Sequence, residues 1–135
     1  MVELPDDVRA LFEGANFAHV ATLLPDGSPH SVPVWVCLEN GCIGFFTQEA
    51  SRKARNLARD TRVAISIADH DNPYNMAQIR GRVVDRWEGE RALEAMDRMA
   101  RRYTGNDFPV RRGVLFLVEP ERVFKMALPF QHAPS

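Results

Sequence analysis

The chain has 135 residues, 45% hydrophobic and 26% charged, with 17 basic and 18 acidic side chains and a net charge of -1. That length suits one domain spanning residues 1–135. The composition is that of a folded protein rather than a disordered one, and the longest apolar stretch, Val32 to Leu38, falls far short of the roughly 20 residues of a membrane-spanning helix. The even charge lacks the basic excess of nucleic-acid binders, and the acidic opening Met-Val-Glu-Leu-Pro-Asp-Asp lacks the basic start of a secretory signal. A cytoplasmic protein without nucleic-acid or membrane partners is expected.

Asp6 to Glu13 reads as a short amphipathic helix with Val8, Leu11 and Phe12 on one stripe. Phe17 to Leu24 reads as a strand, Pro25-Asp26-Gly27-Ser28-Pro29 as a turn, and His30 to Leu38 as a second strand. Asn40-Gly41 is a hairpin turn signal that returns the chain along Cys42 to Thr47. The turn would leave Cys37 and Cys42 about 7 Å apart on a diagonal, too far for a relaxed disulfide, so two free thiols are expected. Ser51 caps a helix ending near Asp60, and Val63 to Ala68 is a strand. After a polar loop, Tyr74 to about Trp87 is a long strand whose Met76, Gln78, Arg80 and Arg82 share one face. Glu90 to Tyr103 reads as a helix with Leu93, Met96, Ala100 and Tyr103 inward, supported by Glu94–Arg98 and Asp97–Arg101 pairs. Two final strands, Val114 to Val118 and Arg122 to Met126, bracket Glu119-Pro120-Glu121.

About seven strands clustered in hairpins, with three helices, predict a mainly β (α+β) fold: an antiparallel barrel with peripheral helices. In the second strand Val32, Val34, Val36 and Leu38 point one way and Pro33, Trp35 and Cys37 the other, so both faces are apolar. One face fills the barrel; the other needs a helix, a ligand or a second subunit, which suggests an obligate dimer.

Acid–base and nucleophilic machinery is sparse. His19, His30, His70 and His132 form no metal-ligand spacing, the cysteines form no CxxC pair, and no G-x-S-x-G occurs. No metal site is expected. Residues Ser51 to Arg62 gather five cations with one carboxylate at a helix start, where backbone N–H groups and Lys53 suit a phosphate-type anion; a solvated basic helix face is the other reading. With the aromatic residues Trp35, Phe45, Phe46 and Tyr74, this composition suits a planar cofactor that brings its own reactivity.

The segments Asn16 to Leu23, Pro25 to His30 and Val32-Pro33-Val34-Trp35 resemble the opening of the flavin and deazaflavin oxidoreductase superfamily, which includes the pyridoxamine 5′-phosphate oxidase-like proteins. The likeness continues through Ser51-x-Lys53-x-x-Asn56-Leu57-x-x-Asp60-x-Arg62-Val63, Ile79 to Val83, Val114-Leu115-Phe116 and Pro120 to Val123. The resemblance implies an FMN-binding-type split barrel acting as a homodimer with cofactor sites at the interface. It implies that Val32, Pro33, Val34 and Trp35 line the ring, that Phe46, Thr47 and Gln48 edge the site, and that Ser51, Lys53 and Asn56, with Arg52 adjacent, hold the phosphate end. It further implies Tyr74, Met76 and Gln78 near the ring, and Arg111 and Arg112 reaching the cofactor of the other subunit.

The Lys53-x-x-Asn56-Leu57 pattern and compact ending look closer to the branch using coenzyme F420, and the arginine- and histidine-bearing substrate segment of true pyridoxamine phosphate oxidases is not found after Met126. Arg52, Arg55 and Arg59 would suit the anionic tail of F420. The implied activity is hydride transfer from the reduced deazaflavin to a small conjugated organic substrate, with the proton from solvent or a site tyrosine. The alternatives are an FMN-dependent oxidoreductase on the same fold, or a non-catalytic flavin- or haem-binding protein using His19, His30 or His132.

Overall fold

The computed structural model describes residues 2–134. Its elements follow the chain as α1 (Asp6–Glu13), β1 (Ala18–Leu23), β2 (Pro29–Val34), β3 (Cys37–Glu39), β4 (Cys42–Thr47), α2 (Arg52–Arg59), β5 (Arg62–Ala68), β6 (Asn75–Trp87), α3 (Gly89–Thr104) and β7 (Val114–Ala127). All seven strands form one antiparallel sheet in the order β2-β1-β5-β6-β7-β4-β3. This is the mainly β, α-containing split barrel that the sequence predicts.

Alternation in the strands builds the interior. Val20, Ile65, Ile79, Phe45 and Val118 point into one buried cluster, and α1 adds Val8, Leu11 and Phe12 to it. A second cluster lies between the outer faces of β4 and β7 and helix α3, where Cys37, Leu115 and Leu117 meet Ala92, Met96 and Met99. Helix α3 therefore covers the second apolar face expected of the run from Val32 to Leu38. Val32, Val34, Val36 and Leu38 pack with the barrel interior, while Trp35 and Cys37 pack towards α3.

That run is not one strand. It breaks at Trp35-Val36, so that β2 and β3 occupy opposite edges of the sheet. The faces keep their alternation across the break, but the hydrogen-bonding partner changes. The Val36 N–H donates to the Tyr103 hydroxyl at 3.2 Å, and its carbonyl accepts from the Arg102 guanidinium. Asn40 (φ 53°) and Gly41 (φ 81°) form the tight turn between β3 and β4, as two left-handed residues require. Cys37 and Cys42 are both free.

The two final strands are instead a single strand, β7, which runs through Pro120. Pro120 lies opposite Gly81 at a register shift in β6, where a Cβ on Gly81 would stand 2.2 Å from the Glu119 carbonyl oxygen. Proline at a bulge is tolerated because no ladder N–H is required there.

In α3 the buried positions are Ala92, Ala95, Met96, Met99 and Ala100, while Leu93 is only half-buried. The two predicted intrahelical ion pairs give way to partners outside the helix. Arg98 reaches Glu39 at 2.7 Å, Arg101 reaches Asp107, and Asp97 receives Arg111 at 2.8 Å.

Among the described residues no helix is long and apolar enough to cross a membrane. No group of three or more His, Cys, Asp or Glu comes together as a metal site among them either.

Candidate functional site

A cleft of about 320 Å³ opens where the end of β2, the end of β4, the start of α2 and helix α3 converge. Its walls are aromatic. Trp35 stacks on Tyr103 with centroids 5.2 Å apart and planes 12° from parallel, and meets the edge of Phe108 at 6.3 Å. Phe46 meets Phe108 at 5.8 Å, and Phe17 meets Tyr103 at 5.9 Å. Tyr103 is a strut: its hydroxyl donates to the Asn16 carbonyl at 2.5 Å while accepting from Val36. Burial pushes its phenol pKa up.

One end of the cleft is polar. Ser51 caps α2, its Oγ accepting from the Ala54 N–H at 3.1 Å and from the Thr47 hydroxyl at 2.9 Å. Lys53, in the first turn of α2, lines the cleft half-buried, and its ammonium has no carboxylate partner among the described residues. Burial pushes its pKa below the usual lysine value, because a charge taken from water without a partner favours its neutral form.

Gly113 closes the approach from β7. At φ +145° its would-be Cβ lies 2.3 Å from the Phe46 ring and 3.0 Å from the Thr47 carbonyl oxygen. Gln48 ties the rim by donating to the Arg112 carbonyl at 3.0 Å.

Of the residues singled out from sequence, Pro33, Val34, Trp35, Phe46, Thr47, Gln48 and Lys53 meet in this cleft, with Ser51 bonded to Thr47 at its edge. Val32 packs towards the barrel interior, and Arg52 is exposed at the first turn of α2. Asn56 is fully buried. Its amide donates to Thr22 Oγ1 at 3.0 Å, and its Oδ1 has no partner among the described residues. Arg111 is held by Asp97 and the Phe108 carbonyl, and Arg112 is exposed beside Gln48, Glu49 and Ala50.

Met76 and Gln78 lie on the sheet's outer face in a separate groove, and Tyr74 packs against Phe130 and His132 of the C-terminal segment. Among the three expected tail cations, Arg59 is engaged with the Leu23 carbonyl, whereas Arg52 and Arg55 are exposed without a carboxylate partner among the described residues. His19 points outward from β1 and His30 inward opposite Thr22.

The cleft also uses Phe17, Met96, Met99 and Phe108. The sequence places Phe17 at a strand start and Met96 on an inward helix face, and gives no signal for Phe108, which sits in a loop. That loop is positioned by Asp97, whose carboxylate accepts from the Phe108 N–H at 3.2 Å and from Arg111.

Residues 4–127 match the family described as pyridoxamine 5′-phosphate oxidase. No curated protein matches the sequence. Among solved structures, an F420 reductase is similar at 26% identity and a TM-score of 0.79, covering 90% of this chain and 98% of that one. A conserved hypothetical protein of Mycobacterium tuberculosis superposes at a TM-score of 0.71 and 24% identity, covering 100% of this chain and 94% of that one. HupZ of Group A Streptococcus gives 0.71 at 15% identity, covering 96% and 99%; these last two share the fold. With the family match spanning nearly the whole chain and the split barrel bearing an aromatic cleft with a cationic end, the chain belongs to the pyridoxamine 5′-phosphate oxidase family of flavin-type oxidoreductases.

Proposed function

We propose that the protein is an F420-dependent oxidoreductase that transfers hydride between the deazaflavin and a small conjugated organic substrate, working as a homodimer with cofactor sites at the subunit interface. The observation that carries this reading is Lys53, a half-buried ammonium without a carboxylate partner among the described residues, at the polar end of an aromatic cleft. Such a residue is unfavourable in the free protein and is satisfied by an anion, as a charge-assisted hydrogen bond to phosphate would do. The aromatic walls offer flat faces to a ring system, so the residues present fit a phosphate-bearing flavin-type cofactor.

When bound, the deazaflavin supplies the hydride and its electron pair. Trp35, Phe46 and Phe108 would position the ring and exclude water from it. Lys53 would neutralise the phosphate, with the capped N-terminus of α2 and the exposed Arg52 beside it. Arg55 would extend the positive surface along α2 towards a longer anionic tail. The similarity to an F420 reductase supports the same reading. An outer sheet face that exposes Phe17 (53%), Phe124 (46%) and Met126 (51%) supports the homodimer, since such residues are costly to leave in water.

FMN is the second reading, favoured by Arg59: a cation already engaged with the Leu23 carbonyl is less available to a long anionic tail. Parallel fluorescence titrations of the cofactor-free protein with F420 and FMN separate the two. Tighter F420 binding that weakens selectively on reversing Arg55 to Glu is expected. Tighter FMN binding, indifferent to that change, would replace F420 by FMN.

A further inference from the structure

Two buried side-chain atoms have no hydrogen-bond partner among the described residues, His30 Nδ1 and Asn56 Oδ1. They belong to different elements, yet both border the same hydroxyl. His30 on β2 stands directly opposite Thr22 on β1, which brings their Cβ atoms to about 5 Å. Asn56 on α2 donates its amide to Thr22 Oγ1 at 3.0 Å. Thr22 and Asn56 are 1% and 0% exposed, so bulk solvent does not reach either. The Thr22 hydroxyl accepts the amide, and its own proton has no acceptor among the described residues. One hydroxyl proton to place and two atoms able to accept therefore meet behind α2.

Leaving such groups unmet is costly at this depth. What satisfies them must accept one hydrogen bond and donate two. A metal or ammonium cation accepts no hydroxyl proton, and the Arg59 guanidinium on the neighbouring Leu23 carbonyl repels it. An anion would face Asn56 Oδ1, which only accepts. Water alone answers all three groups.

We infer that one water molecule is bound between His30, Thr22 and Asn56, joining the β1–β2 hairpin to helix α2. It accepts from the Thr22 hydroxyl and donates to Asn56 Oδ1 and His30 Nδ1, the roughly three hydrogen bonds usual for a buried water. The neutral His30 ring is thereby held with its proton on Nε2. The joint lies behind the cleft. Strand β2 runs on from His30 to Pro33 and Val34 in the cleft wall, and α2 carries Lys53 three residues before Asn56. In the Lys53-x-x-Asn56 spacing the lysine thus faces the cleft, while the asparagine fastens the helix that carries it.

The test uses the full chain without added ligand. A high-resolution crystal structure should show one density peak within about 3.2 Å of His30 Nδ1, Thr22 Oγ1 and Asn56 Oδ1. In solution, water-oxygen relaxation dispersion counts the waters held longer than the protein takes to tumble. Asn56→Leu combined with Thr22→Val removes the hydroxyl and one acceptor, and should lose one such water per chain. Nitrogen NMR of histidine-labelled protein at mildly alkaline pH should show His30 Nδ1 bare. A crystal structure without the peak overturns the inference, as does a proton on His30 Nδ1 bonded directly to Asn56 Oδ1. A folded double variant that keeps the wild-type water count also overturns it. Should the double variant fail to fold, the wild-type crystal structure decides.

Discussion

Replacing Lys53 by Met separates what this residue does for the fold from what it does for a ligand. Burial holds the folded pKa of Lys53 below its unfolded value. A lysine shifted that way binds its proton less tightly when folded, so the charged form opposes folding at neutral pH, and the opposition fades as pH rises through the folded and then the unfolded pKa. Lys53→Met should therefore keep or raise the urea midpoint of the free protein and abolish the alkaline gain in stability. The ligand effect has the opposite sign. A hydrogen bond to a charged group contributes about 1.5–3 kcal/mol, and each 1.4 kcal/mol is tenfold in affinity, so loss of the Lys53–phosphate contact weakens the cofactor roughly 10- to 150-fold. Because binding favours the ammonium, wild-type affinity should also fall as pH rises through the lowered folded pKa, a dependence the variant lacks. Urea unfolding of the free protein and fluorescence titration of the cofactor measure the two effects. A variant that loses stability while binding the cofactor as tightly as wild type would refute the assignment of Lys53 to the anion.

Three further outcomes follow from the geometry. Gly113→Ala forces a side chain into a φ of +145° and against the Phe46 ring, so it should cost about 1–3 kcal/mol in urea unfolding and weaken the cofactor by displacing Phe46. Asn56→Leu strands the buried Thr22 hydroxyl and should cost about 1–3 kcal/mol, whereas adding Thr22→Val should recover much of that loss; a double-mutant cycle shows the coupling, and additivity would contradict it. Burial, with Glu39 nearby, pushes the Cys37 thiol up to about 12, so at mildly alkaline pH iodoacetamide should spare Cys37 until urea is added, while half-buried Cys42 is labelled slowly in the fold. Mass spectrometry of the two peptides reads the order.

The local elements were legible where local chemistry decides them. The stripe of Val8, Leu11 and Phe12 marks α1, and Ser51 fixes the start of α2. The inward and outward positions of Val32 to Leu38 were also legible, because the two-residue period survives the break. The break itself was not: a period-two pattern says which face a residue takes, not which strand it pairs with, and the groups that receive Val36 come from Arg102 and Tyr103, far along the chain. Pro120 looks like a turn residue because its tolerance in β7 depends on Gly81 opposite, a pairing visible only in three dimensions. Likewise the charges of α3 match helix spacing but find Glu39, Asp107 and Arg111 instead. The cleft's β2, β4 and α2 residues carried a readable pattern, whereas Phe108 reaches it through a loop held by Asp97.

The junction at Trp35-Val36 has a consequence for how the molecule responds to load. Two residues bridge the opposite edges of the sheet, and the backbone of Val36 is held by side chains of α3 rather than by a neighbouring strand. The barrel is therefore fastened at a seam, and Trp35 is the button on it. Any molecule packed against that indole is retained only while the seam is shut, so its binding free energy is added directly to the closed state, by RT ln(1 + [L]/Kd). The loop of Phe108 and the end of α3 should then stiffen together when the cleft is filled, and hydrogen exchange at Val36 should slow more than exchange in β5, which has strands on both sides.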